Sequence, residues 1–156
     1  MTEIAFYHLE RAHLELALPK LLEKTLAAGK RALVIVGTEE RVESLANALW
    51  TYEQDSWLPH GTVKDGNAEV QPVWLATDDA NPNGATFLFL ADGMTTDRLG
   101  DFERCFQIFD GNDSVMVDIA REHWTAYKDA GHDLAYWQQT PSGGWIKKAE
   151  HNAAAD

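Results

Sequence analysis

The chain reads as one α/β domain of three layers, a mostly parallel sheet with helices on both faces. Three observations point there. Short apolar runs alternate with stretches of helical spacing from residue 4 to residue 130. The run ALVIV, Ala32 to Val36, is continuously apolar, as a strand covered on both faces must be. The 156 residues amount to about one domain's worth of chain, with no repeat or linker dividing them. Residues 1–150 are assigned to the domain and 151–156 to a fraying tail.

The elements follow in order. Ile4 to Leu9 alternate loosely and carry Phe6 and Tyr7, which predicts a first strand. Leu14, Leu18, Leu21, Leu22 and Leu26 recur at helical spacing. Pro19 sits best in a first turn, so the regular helix is expected to begin near Leu18. Gly29 can end it. After the Ala32 to Val36 strand, Thr38 can cap a helix whose inner face holds Val42, Leu45, Ala46 and Leu49. Trp50 to Gly66 reads as a loop with at most one short strand. Val73 to Ala76 and Thr86 to Ala91 read as strands, joined by the turn-rich stretch Asp78 to Gly84. A short helix is expected within Thr96 to Arg104, and a last core strand at Cys105 to Asp110. Asp113 or Ser114 can cap a long helix that Gly131 ends. Its inner face is expected along Val115, Ile119, Ala126 and Ala130, with Met116 and Ala120 beside it.

Charge and cysteine usage narrow the function classes. The formal charge is −12, which disfavours a broad phosphate-binding surface. The one cysteine, Cys105, has no internal disulfide partner, and MTEIAFYHLE carries no basic leader before an apolar stretch. A cytoplasmic protein is the expectation.

Catalytic signatures are sparse. No G-x-G-x-x-G, P-loop or G-x-S-x-G is present. His8, His13, His60, His123, His132 and His151 are scattered, so no metal site and no cofactor are expected. Asp78, Asp79, Asp92 and Asp110 fall at or beyond strand ends. They could hold Mg²⁺ or simply fold turns, and the turn reading is preferred.

Two places stand out. Trp50, Tyr52 and Trp57 crowd one segment beside Pro59, either plugging the core edge or presenting an apolar patch. On the long helix, Val117, Arg121, Trp124 and Lys128 recur at spacings of four, three and four, so they share a face. A cationic and aromatic stripe suits an anionic peptide with an apolar end. The plain alternative is a solvated face with Trp124 leaning into the core.

The order FYHL, LPKLLEKTLAAGKRALVIV, ANALWTYEQDSWLPH, FERCFQIFDG and AREHWTAYKDAGHDLAYW resembles the chi subunit family of bacterial DNA polymerase III, across about residues 4 to 137. The resemblance implies a Rossmann-like α/β fold used as an adaptor rather than as an enzyme. Such an adaptor is an accessory subunit of a nucleotidyltransferase complex in DNA replication. It implies partners on two sides. One is the acidic C-terminal tail of single-stranded DNA-binding protein, with Arg121, Trp124, Thr125 and Lys128 as the matching positions. Thr125 departs from the family pattern, which has a basic residue there. The other partner is the psi subunit or another clamp-loader component, facing Trp50, Trp57 and Pro59. DNA would be engaged mainly indirectly, and no membrane is implied. Two readings compete. One is a nucleotide- or phosphate-ester-processing enzyme using the strand-end aspartates with Mg²⁺. The other is a direct single-strand binder that stacks bases on tryptophan.

Overall fold

The structure is a computed structural model that describes residues 2–10, 13–51, 59–142 and 144–152. Ten regular elements follow one another: β1 (Glu3–Leu9), α1 (Leu14–Ala27), β2 (Ala32–Ile35), α2 (Glu39–Thr51), β3 (Val73–Ala76), β4 (Phe87–Leu90), β5 (Arg104–Asp110), α3 (Ser114–Asp129), β6 (Asp133–Gln139) and β7 (Trp145–His151). Short 3₁₀ turns lie at Ala68–Val70 and Leu99–Asp101. All strands join one sheet in the order β3-β2-β4-β5-β1-β6-β7. Neighbours are parallel except the last pair, β6 with β7. The α/β class and the mostly parallel sheet are as the sequence predicts.

The layers follow from strand composition. Every residue of β2, β3 and β4 is buried, which is why those strands read as unbroken apolar runs. One side of the sheet packs under α1 and α2 with Leu18, Leu22, Leu45 and Phe89. The other side packs under α3 with Phe6, Leu33, Leu88 and Ala120. Phe89 stacks on Phe106 at 4.5 Å within the first core.

Several ends close as expected. Thr38 caps α2, its Oγ1 accepting from the Arg41 amide at 3.1 Å. Asp113 caps α3 by accepting from Val115 and Met116. Gly29 stands at φ +75 beyond α1, and its amide donates to the Leu26 carbonyl.

Four expectations need correction. α1 begins at Leu14, not near Leu18, and holds Pro19 inside. The turn before the proline is tied down by Leu16 and Ala17 amides donating to the His13 carbonyl, and Pro19 is itself buried. Burial therefore outweighs the one missing hydrogen bond. The inward stripe of α3 is Met116, Val117, Ala120, Trp124 and Tyr127. Val115 is exposed, and so are Ala126 and Ala130. Counting apolar residues misplaced the face, because the large aromatics rather than the alanines set the helix's roll. The β6–β7 hairpin was not anticipated. Its turn residues Thr140, Pro141, Ser142 and Gly144 are plain signals, but WIKKAEH is a polar edge strand with no apolar run. His151, assigned to the tail, ends β7. Residues 153–156 lie outside the described residues.

Candidate functional site

α3 packs on β5 and β6, and a groove of about 430 Å³ opens between its residues 120–125 and strands β6 and β7. Ala120 and Trp124 of α3 and Tyr136 of β6 form its floor. Arg121 and Thr125 stand on the helix side, with Lys148 and Ala149 on the β7 side. Thus Arg121 and Trp124 are brought together as their spacing implies, and Thr125, a position taken from the resemblance, lies beside them. Lys128 is exposed further along α3 and does not line the groove.

Each member is held for a reason. Trp124 meets Phe6 edge-on at 5.4 Å and Tyr136 at 6.2 Å, so the indole is anchored in the core by one side. The other side remains available, for the residue is only partly buried. The ring thus leans into the core, as the plain alternative has it, and keeps part of its surface exposed. Tyr136 shares a hydrogen bond with His8 Nδ1 at 2.5 Å, and His8 Nε2 sits 3.0 Å from Glu10. Burial raises the Tyr136 phenol's pKa, while Arg121 pulls it back. Thr125 donates its hydroxyl to the Arg121 carbonyl at 3.2 Å. Arg121 is 78% exposed at its side chain, and its Nη1 lies 3.8 Å from Asp118, itself exposed.

Lys148 is the member the sequence did not disclose. Tyr136 pairs with Ala149 but Trp137 pairs with Lys147, so Lys148 is the extra residue of a bulge in β7. A bulge re-aims a side chain. Here it places an ammonium group across the groove from Arg121. No local motif announces a bulge, so this cation could not have been found from spacing.

The second expected surface is described in part. Trp50 closes α2 with 56% of its surface exposed. Its ring rests 4.5 Å from that of buried His60, whose Nε2–H donates to the Ala46 carbonyl at 3.1 Å. Pro59 is half-buried. Tyr52 and Trp57 lie outside the described residues.

The strand-end aspartates do not converge. Asp78 accepts from the Ala80 amide, Asp110 from the Asn112 amide and Asp79 from the Thr96 hydroxyl. Asp92 accepts from the Gly37 amide and faces Arg41 Nε at 3.5 Å. The Asp78 and Asp110 bonds are local turn bonds, while Asp79 and Asp92 tie together segments distant in the chain. Among the described residues no three His, Cys, Asp or Glu side chains are grouped to hold a metal ion. The crevice at the carboxyl ends of β1, β4 and β5 is about 230 Å³. Its one arginine, Arg41, is taken up by Glu15 and Asp92. Cys105 is fully buried in β5, and burial pushes its thiol well above the usual range. No helix among the described residues is long and apolar enough to cross a membrane.

Comparison with known proteins agrees with this architecture. Residues 1–135 match the family model described as DNA polymerase III chi subunit, HolC. The chain is 27% identical over 90 residues to the probable DNA polymerase III subunit chi of Rickettsia prowazekii (strain Madrid E), a match covering 58% of this chain and 54% of that protein. It is 27% identical over 116 residues to the DNA polymerase III subunit chi of Escherichia coli (strain K12), covering 71% of this chain and 77% of that protein. The match of the family model over residues 1–135 shows that this chain belongs to the DNA polymerase III chi subunit family.

Proposed function

We propose that this protein is an accessory subunit of a DNA polymerase III assembly. In this reading it is a non-catalytic cytoplasmic adaptor that links the clamp loader to single-stranded DNA-binding protein. The groove between α3 and β7 carries the reading. Two cations from different elements, Arg121 and Lys148, flank an apolar floor of Trp124 and Tyr136. A peptide ending in an apolar residue and a free carboxylate fits that arrangement. The carboxylate meets the cations, and the terminal side chain lies on the indole. The acidic tail of single-stranded DNA-binding protein has this chemistry. Lys128, one helical turn beyond Thr125 and about two beyond Arg121, supplies charge to the upstream acidic residues. Thr125 contributes no charge, so Lys148 takes the place of the basic residue that the family pattern has there.

On the opposite layer, Trp50 with Pro59 is the surface proposed for psi or another clamp-loader component, to which the resemblance adds Trp57, outside the described residues. An exposed tryptophan on a helix end is the kind of anchor that dominates small interfaces. The alternative as a Mg²⁺-dependent enzyme finds no support in four aspartates that each accept from a different partner.

The test is calorimetric titration of the protein with a synthetic tail peptide, intact and lacking its terminal apolar residue. Binding of the intact peptide and at least about tenfold weaker binding of the shortened one supports the reading. Equal binding of the two rejects it.

A further inference from the structure

α1 presents an unpartnered stripe beside the β6–β7 hairpin. The helix lies over β2 and β5, and β6 and β7 extend the sheet past it. A second groove of about 410 Å³ opens there, between Leu16, Lys20, Leu21 and Lys24 of α1 and Gln139 and Trp145 of the hairpin. It faces the opposite side of the sheet from Arg121, since Trp145 packs with the α1 core and not with the α3 core.

Three features mark this groove as unfinished. Leu16 is 62% exposed on a helix whose other leucines are mostly buried. Trp145 is only partly covered, its ring edge-on to Tyr7 at 4.9 Å. Lys20 and Lys24 are exposed and make no ion pair among the described residues. Arg41, Lys30, Lys64, Arg104, Arg121 and Lys147 each have a carboxylate within 4.0 Å. Lys20 and Lys24 stand with Arg31, Arg98, Lys128 and Lys148 outside that set, and they alone of these share the α1 groove.

We propose that the α1–hairpin groove docks an extended segment of a partner protein in which acidic and apolar residues alternate. It does so independently of the α3 groove. Lys20 and Lys24 are one helical turn apart, roughly 5–6 Å between Cβ atoms. Carboxylates on alternate residues of an extended peptide are separated by about 6.6 Å, so they span the same pair. The side chains between them turn to the opposite face, away from the Leu16, Lys20 and Lys24 stripe and onto Trp145 of the hairpin wall. A nucleic acid strand fits less well. Two lysines neutralise two phosphates, and every further phosphate meets an acidic protein.

The probe is a ten-residue peptide of alternating aspartate and leucine, with both ends blocked. It has no terminal carboxylate, the feature on which the α3 reading depends. Titrated into the intact ¹⁵N-labelled protein, it is expected to shift the amides of Leu16, Lys20 and Lys24 and the Trp145 indole. The K20E/K24E variant should bind about tenfold more weakly or worse, and R121A within about twofold of the parent. Both lysines are exposed, so an unchanged melting temperature shows that the fold survives. W145A, which leaves the charges in place, should also weaken binding. No binding at millimolar peptide, shifts confined to α3, or indifference to K20E/K24E each overturn the proposal. So does a ten-residue oligothymidylate that binds as well as the peptide, which would give the groove to single strands.

Discussion

Replacing Arg121 with alanine separates a binding role from a structural one. The guanidinium is 78% exposed and its nearest carboxylate, on Asp118, is 3.8 Å away and exposed too. Such a surface pair contributes roughly 0.2–1 kcal/mol, with an i,i+3 helix pair near the low end. Alanine is also the better helix former, which offsets part of the loss. The fold should therefore change by under about 0.5 kcal/mol, or about 1–2 °C in melting temperature at this chain length. Binding is different. A charge-assisted bond to a carboxylate contributes about 1.5–3 kcal/mol. The open position of Arg121 places it toward the lower figure, so about ten- to thirtyfold in affinity for the tail peptide is expected. If Arg121 and Lys148 grip the same carboxylate, R121A and K148A together cost less than the sum of the two. Isothermal titration at two salt concentrations, alongside thermal melts, reads all of these quantities. Unchanged affinity refutes the groove as the tail site, and a fall in melting temperature of more than about 5 °C refutes the view that Arg121 is free of structural duty.

Three further outcomes follow from the fold. Asp113→Ala removes the side chain that caps α3 and should cost about 1 kcal/mol in urea unfolding without altering α3's packed face; a loss under a few tenths would mean solvent replaces the cap. Cys105 should resist Ellman's reagent in the native protein and react in full only on unfolding, because its thiol is buried and held protonated; stoichiometric labelling within minutes under native conditions would contradict its placement. Stability should decline as pH falls through about 6.5. Desolvation lowers the folded-state pKa of both His123 and His132, so below the ordinary histidine value the unfolded chain binds more protons and gains. Their contribution is complete above that pH, and a flat denaturant midpoint between pH 7.5 and 5.5 would count against it.

Much of the architecture was decided by local composition. The strands β2, β3 and β4 are legible because burial on both faces demands unbroken apolar runs. The limits of α2 and α3 are legible because Thr38 and Asp113 are side chains that accept backbone amides at helix starts. The pairing of Arg121 and Trp124 is legible because residues three apart share a helix face, though of the same stripe Val117 turns inward and Lys128 misses the groove. What tertiary structure alone decided is how those faces are used. The roll of α3 was set by Trp124 and Tyr127 finding Phe6, a partner in another element. Proline stayed inside α1 because the sheet beneath rewards burial of that turn. Lys148 reached the groove only through a bulge in an edge strand whose polar sequence does not declare itself. Periodicity carries information about one element and its own faces. Which of two elements lies opposite, and at what register, is a long-range property that depends on the packing of side chains distant in sequence.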